Sequence, residues 1–205
     1  MIKQALPVRE YFLLNINVVI RILIISDILI VGAGGLMSPI FAIYIEDFIV
    51  GGGVAVAGIA ASIYLITKSL FQVPIASILD KIRGEKDDFW VLFIGSLVGA
   101  FVPLSYIFIS TPLQLYCVQF VTGLVGACLF PPYMAMFTRH IDRNREGTEW
   151  GIYYTLVDFV SAITASIGGV IAATAGFVWL IITLSSIGLI GSSLLYAIRK
   201  HIRVE

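Results

Sequence analysis

The sequence predicts an all-α membrane protein with six transmembrane helices in a single domain. Apolar residues make up 59% of its 205 residues and charged residues 13%, whereas soluble domains carry about 45–50% apolar and 25% charged residues. The mean hydropathy of +1.00 points the same way. Six apolar runs are long enough for a bilayer, which needs about 20 residues per helix. Basic residues fall between alternate runs, as expected of a multi-pass protein.

The six runs follow one another with short connections. The first is too long for the apolar region of a signal peptide, and no small-residue cleavage site follows it. Aromatic residues begin the third and fifth runs, as is common at a membrane interface. The predicted spans are Ile22–Ile45, Val54–Leu79, Phe89–Ile109, Leu113–Phe137, Trp150–Thr174 and Phe177–Ile198. Together they form one membrane domain over residues 1–205.

The distribution of basic residues predicts the orientation. Segments 46–53, 110–112 and 175–176 contain no Lys or Arg. The other connections and the two termini contain 12 of the 13 basic residues: Lys3, Arg9, Arg21, Lys81, Arg83, Lys86, Arg139, Arg143, Arg145, Arg199, Lys200 and Arg203. The positive-inside rule therefore predicts that both termini lie in the cytoplasm. We expect the protein to reside in the plasma (inner) membrane.

Composition and spacing argue against other classes. The formal net charge is zero, so no basic surface for nucleic acid is predicted. The two histidines, His140 and His201, lie in polar segments that we expect to be loops, without metal-ligand spacing. No Ser–His pair or catalytic carboxylate pair supports an enzyme. We therefore predict no enzymatic activity, no cofactor and no metal.

The connection between the second and third runs is unusually charged. In residues 80–88, called the charged loop below, seven of nine side chains are ionisable. Asp80 and Lys81 are followed by Gly84 and Lys86, which resembles the G-x-x-x-D-[RK]-x-G-[RK]-[RK] loop of the major facilitator superfamily. Ala76 replaces the first glycine of that pattern, and Gly84 comes one residue late.

Three apolar runs extend the resemblance to nearly the whole chain. The first, DILIVGAGGLMSPIFAIYI, is similar to the family's first helix. The fourth, QFVTGLVGA, resembles the family's R-x-x-x-G pattern, with Gln119 at the position of the Arg and Gly123 in place. The fifth, together with the loop REGTE before it, resembles the family's entry into a fifth or eleventh helix, with Gly151, Gly168 and Gly169 in the family's glycine pattern. Thr164 and Ala165 replace the Gly-Pro pair of antiporters.

The resemblance implies a fold and a function. Members of this family usually have two six-helix halves, each built from 3+3 inverted repeats, and carry small solutes by alternating access. This chain corresponds to one half-bundle. A second wall of the transport cavity would then come from another copy, as a homodimer, or from a separate six-helix half; a truncated gene product is the remaining alternative.

The resemblance also implies a role for the charged loop. Asp80, Lys81, Arg83, Gly84 and Lys86 would form a cytoplasmic gate. Asp80 would face the N-terminus of a helix in the opposite half, where the helix dipole favours an anion. In a homodimer that helix is the fifth span of the other copy. We expect Asp87, by contrast, to be a solvated charge.

Three ionisable residues lie deep inside predicted spans, where charges are costly and normally mark a pathway. They are Asp27 in the first span, Lys68 in the second and Asp158 in the fifth. Helical spacing places Tyr64 beside Lys68 and Tyr154 beside Asp158. Gln119 of the fourth span completes the predicted lining of a substrate or proton pathway: Asp27, Lys68, Asp158, Gln119, Tyr64 and Tyr154.

Two alternatives stay open at this stage. The deep charges could instead form a structural ion pair, and the chain could be a scaffold or receptor that keeps the transporter half-fold without transport. A pathway residue would serve a small-molecule substrate, with Asp27 and Asp158 available to carry a coupling proton. The substrate, its direction and the choice between proton coupling and facilitated diffusion are left undecided by the sequence.

Overall fold

A computed structural model describes residues 16–82 and 84–202, and every regular element in these ranges is helical. Six helical segments of this part are long and apolar enough to cross a membrane, which confirms the predicted fold class. The α-helices are α1 Val18–Met37, α2 Phe41–Phe48, α3 Val54–Leu79, α4 Lys86–Phe101, α5 Pro112–His140, α6 Glu146–Ala175 and α7 Phe177–Leu194. The residues Lys3, Arg9, Arg83 and Arg203 of the sequence-based predictions lie outside the described residues.

Local sequence signals set the helix ends. The Asn17 side chain accepts a hydrogen bond from the Val19 backbone N–H at 2.8 Å, so α1 begins four residues before the first apolar run. Thr111 and Gln114 form a reciprocal capping box at the start of α5. Gly176 separates α6 from α7 with a φ of +88°, a conformation that favours glycine.

Prolines interrupt two of the spans. The first span bends at a 3₁₀ turn, Ser38–Ile40, that contains Pro39 and joins α1 to α2. The third span continues α4 into a second 3₁₀ segment, Val102–Ile107, with Pro103 near its start. At both breaks the missing N–H of proline removes a helical hydrogen bond, whereas Pro74 is accommodated inside α3 and Pro131 and Pro132 inside α5.

Close helix crossings use small residues. α3 packs mainly on α5, α1 packs on α6 and α7, and α4 packs between α5 and α7. A Cβ at Gly123 of α5 would lie 2.7 Å from the Tyr64 carbonyl oxygen of α3. A Cβ at Gly168 of α6 would overlap the Leu36 carbonyl of α1. These glycines therefore allow the backbones to approach closely, as is typical of membrane helices.

The buried side chains form two clusters at opposite ends of the bundle. One lies near the charged loop, centred on Phe89, Phe137 and Ile198; we call this the charged end. The other is centred on Tyr44, Tyr106 and Leu180; we call this the aromatic end. The candidate site lies near the middle of the bundle, and α3 and α6 are the least buried of the six spanning helices.

Candidate functional site

A cavity of about 280 Å³ lies against the cluster of the charged end, near the middle of the bundle, and Leu92, Tyr133 and Leu195 of that cluster line it. We call it the Asp27–Lys68 cavity, after its two ionisable residues. Its walls come from α1, α3, α4, α5 and α6 and from the residues after α7. The polar side chains on its surface are Asp27, Lys68, Ser96, Tyr133, Tyr153 and Tyr154. The rest of the wall is apolar or aromatic, which suits a solute with a sizeable apolar body.

Asp27 is held by one specific hydrogen bond. It is half-buried on α1, about 14 Å along the helix from Val18. The Tyr153 hydroxyl of α6 donates to its Oδ2 at 2.7 Å. Because the two residues are 126 positions apart in sequence, this contact arises only from the packing of α1 on α6.

Lys68 faces the same cavity without an acidic partner. It is half-buried on α3, and its Nζ lies 5.1 Å from the centroid of the Phe130 ring. The two ion pairs of the described residues join other side chains, so Lys68 has no carboxylate within 4.0 Å there. The structural ion pair that the sequence left open is thus absent from this structure.

A second, wider cavity of about 820 Å³ extends toward the aromatic end. Tyr64, Tyr106, Gln119, Thr122 and Ser161 are among its lining residues, and none of the five is charged. The buried Gln119 amide donates to the Tyr106 hydroxyl at 3.1 Å. The polar side chains that line this second cavity are therefore all neutral.

The predicted pathway residues therefore separate into three groups. Asp27, Lys68 and Tyr154 line the Asp27–Lys68 cavity. Tyr64 and Gln119 line the second cavity. Asp158 lines neither, and its side chain is exposed on α6. Tyr153, which sequence reasoning missed, is the residue that touches Asp27 directly.

The charged loop is exposed in its first half. Asp80 follows the last residue of α3, and the side chains of Asp80, Lys81 and Lys86 are exposed. Gly84 has a φ of +93°, so the turn into α4 requires a residue that tolerates a left-handed conformation. Arg83, the fifth predicted gate residue, lies outside the described part of the chain.

The second half of the charged loop differs from the expectation. Glu85 and Asp88 are buried, at 2% and 3% exposure. Asp88 accepts a hydrogen bond from the Arg139 guanidinium, and Glu85 lies 3.7 Å from Nε2 of His140. Asp87, expected to be solvated, has both carboxylate oxygens covered.

The expectation that His140 lies in a loop is also wrong. His140 is buried in the last turn of α5, where its Nδ1 lies 3.0 Å from the Met136 carbonyl oxygen. Acids in the first turn of α4 and basic residues in the last turn of α5 each complement a helix dipole. That pattern is visible in the sequence and could have indicated that these two helix ends meet.

Comparison with known proteins gives one family. The family model of the Major Facilitator Superfamily matches residues 23–204. The multidrug resistance protein MdtG of Klebsiella pneumoniae (strain 342) is 24% identical over 181 residues, which cover 85% of this chain and 42% of the relative. MdtG of Salmonella schwarzengrund is also 24% identical, covering 85% of this chain and 43% of that protein.

A third relative matches over a shorter segment. The uncharacterized transporter YybO of Bacillus subtilis (strain 168) is 34% identical over 74 residues, which cover 36% of this chain and 16% of the relative. The chain thus spans less than half the length of each of these three proteins.

Proposed function

Since the chain belongs to the major facilitator superfamily, we propose that it takes part in carrying a small solute across the membrane by alternating access. The observation that carries this proposal is the Asp27–Lys68 cavity. It places two ionisable groups of opposite sign in the middle of the bundle without an ion pair between them. A scaffold would have no need for such charges, whose burial in a membrane is costly.

Asp27 is the proposed site of a coupling proton. A carboxylate that faces a cavity can exchange protons with water there, and the Tyr153 hydroxyl fixes its orientation. Asp158 is a second candidate, because it lies about 18 Å along α6 from Glu146 and is exposed on a spanning helix. A carboxylate at that depth needs protein or water beside it.

The exposed acid also supports an assembly. We propose that the face formed by α3 and α6 is covered by a second copy of the chain or by another six-helix half. α3 and α6 are the least buried spans, and Asp158 of α6 would otherwise meet lipid. Mass photometry in nanodiscs should detect two six-helix units, and transport by a strictly monomeric species would contradict this assembly.

The charged loop is the proposed gate. In a homodimer, Asp80 would face the start of α6 in the other copy, near Trp150 and Gly151. The exposure of Asp80, Lys81 and Lys86 leaves them accessible to such a partner. Gly84 shapes the turn between these residues. This contact would stabilise the state in which the charged ends of the two units are closed together.

The charged end is the proposed cytoplasmic side. Cysteines at Lys81 and Arg143, both exposed there, should react with a membrane-impermeant maleimide only after permeabilisation. Cysteines at Val50 and Ser110, exposed at the aromatic end, should react in intact cells. Gly51 and Gly176 are poor label sites because their φ values are positive. Reaction of Lys81→Cys from outside would contradict the orientation and the gate together.

The transport proposal is tested in proteoliposomes. Uptake of a panel of fluorescent anionic, neutral and cationic solutes should be detectable with the wild type. It should be lost in Asp27→Asn, while Glu46→Gln, an exposed acid of α2, should transport normally. Equal uptake by wild-type and protein-free vesicles for every solute, with and without a pH gradient, would refute the proposal.

A further inference from the structure

The Lys68 ammonium is the unmatched charge of the Asp27–Lys68 cavity. Asp27 already accepts a hydrogen bond from Tyr153. Lys68 has only the face of the Phe130 ring near its Nζ, at 5.1 Å. An ammonium has three N–H donors, and an aromatic face supplies no lone pair to receive them. Asp27 lines the same cavity, but the Lys68 ammonium has no carboxylate within 4.0 Å among the described residues.

The surroundings of Lys68 leave room for a ligand group. Gly126 of α5 faces its stem, and a Cβ there would lie 3.5 Å from Lys68 Cδ. The same small residue would bring a Cβ to 3.6 Å from the Tyr64 hydroxyl. A methyl group at Gly126 would already touch the stem, so the room for a ligand group is the cavity itself, which Lys68, Gly126 and Phe130 line together.

Much of the cavity wall is apolar. Leu92, Leu129, Met134 and Leu195 line the cavity together with the aromatic rings of Phe130 and Tyr133. Such a surface favours the apolar body of a solute, and the few polar groups fix its orientation. The volume of about 280 Å³ suits a molecule with one or two rings.

From this geometry we propose that the cavity binds an amphipathic anion, with its carboxylate or other oxyanion on Lys68 and its apolar body against Leu129, Phe130 and Met134. The inference deepens the proposed function and rests on it for transport of the anion, but the binding itself does not require transport. The anionic group could belong to a free solute or to a lipid headgroup, and the experiment separates the two.

The test uses three ligands that differ only in charge. Binding of 2-naphthoate, 2-naphthalenemethanol and 2-naphthylmethylammonium is measured by isothermal titration to the full chain in phosphatidylcholine nanodiscs. A charge-assisted hydrogen bond to Lys68 should favour the naphthoate over the alcohol by about 10- to 100-fold. The ammonium ligand should bind most weakly. In nanodiscs that contain phosphatidylglycerol, repulsion by the anionic membrane surface weakens only naphthoate binding, whereas a lipid headgroup in the cavity should weaken binding of the alcohol as well.

Lys68→Met should abolish the preference for the anion while Lys200→Met, an exposed lysine after α7, should keep it. Since removal of a half-buried charge without an ion-pair partner relieves part of a desolvation cost, Lys68→Met should fold. A second variant, Lys68→Cys in a background without Cys117 and Cys128, allows charge rescue. Aminoethyl methanethiosulfonate should restore the preference, and the ethyl reagent should not.

Each outcome decides the proposal. Equal affinity of the wild type for the three ligands, tighter binding of the ammonium ligand, absence of binding by all three or a preserved anion preference in Lys68→Met would overturn it. Weaker binding of both the naphthoate and the alcohol in phosphatidylglycerol nanodiscs than in phosphatidylcholine nanodiscs would assign the anionic group to a lipid headgroup instead of a free solute. Anion binding without uptake into proteoliposomes would refute the proposed function and leave this inference standing.

Discussion

The two ends of the bundle are stabilised by different interactions. At the charged end, Asp88 pairs with Arg139 across α4 and α5, and Glu85 lies beside His140. At the aromatic end the Tyr44 hydroxyl donates to the Tyr106 carbonyl oxygen at 2.6 Å. Stacked and edge-to-face rings surround that hydrogen bond: Phe41, Tyr44, Phe48, Tyr106 and Phe177.

Because of this difference, salt and pH should affect the contacts of the charged end more than those of the aromatic end. Ion pairs near a membrane surface weaken with salt and depend on protonation. Neutral hydrogen bonds and ring packing change little with either. We therefore expect the charged end to be the part of the half-bundle that rearranges between states, and the aromatic end to stay rigid.

The largest predicted effect tests the ion pair of the charged end. Arg139→Met leaves the buried Asp88 without its partner, which costs about 3 kcal/mol of stability, at the low end for buried pairs. The low end applies because the Arg139 side chain is 37% exposed and Asp88 only 5%. Unfolding by a denaturing detergent in low and high salt measures this change, and its size should shrink in high salt.

The matched control exploits the unequal burial of the pair. Asp88→Asn removes the buried charge and leaves Arg139 able to reach solvent, so its effect should be much smaller than that of Arg139→Met. The double variant should regain most of the stability lost in Arg139→Met. If the two single variants are equally unstable, the stability lost in Arg139→Met does not come from leaving the Asp88 carboxylate buried and unpaired.

The second prediction concerns the aromatic end. Tyr44→Phe removes the hydroxyl and leaves the Tyr106 carbonyl oxygen without this donor, while the ring packing remains. The loss of a buried hydrogen bond should cost about 1–2 kcal/mol. In contrast to Arg139→Met, the cost should be the same in low and high salt. A strong salt dependence would show that the two ends do not differ in the way described here.

The sequence was sufficient to predict six spanning helices but not the contacts of the charged end. The six helices follow from hydropathy and length, which are local properties. The burial of Asp88 and His140 depends on contacts between α4 and α5, and Arg139 is 51 residues from Asp88. The charged residues of such a loop are normally expected to be exposed to water. Only the acidic start of α4 and the basic end of α5 indicated otherwise.

The candidate site was predictable in part for the same reason. The cost of placing a charge inside a membrane was enough to identify Asp27 and Lys68 as candidate site residues. The two residues line one cavity. Helical spacing put Asp158 on the same stripe as Tyr154, yet only Tyr154 lines that cavity. The contact between Tyr153 and Asp27 depends on how α6 crosses α1, and no pattern within either helix encodes that crossing.

The third prediction concerns the site between the two ends. Tyr153→Phe removes the hydrogen bond to Asp27, worth about 1 kcal/mol, and should lower the transport rate about fivefold. Tyr154→Phe is the matched variant, since Tyr154 lines the same cavity without a hydrogen bond to Asp27. It should have a smaller effect on proteoliposome uptake. Equal rates for the two variants would mean that Asp27 does not depend on Tyr153 in the transport cycle.

The smallest predicted effect tests the gate at the charged end. If Asp80 meets the N-terminus of α6 in a second copy, its charge stabilises only the closed state of that end. Such a contact is worth about 0.3–1 kcal/mol when exposed, and Asp80 is exposed. Two symmetric contacts would then total at most about 2 kcal/mol, or a population ratio of about 30-fold, if they add. Stability against unfolding should barely change.

Spin labels on Thr138→Cys, an exposed position at the end of α5, report the distance between the charged ends of two copies. The background lacks Cys117 and Cys128. Asp80→Asn should increase the population at long distances, because the closed state loses its contact. Asp47→Asn, an exposed aspartate at the aromatic end, should leave the distribution as in the wild type. If Asp80→Asn and Asp47→Asn both match the wild type, Asp80 does not hold the charged ends closed, and the exposed charges of the charged loop serve only to fix the orientation in the membrane.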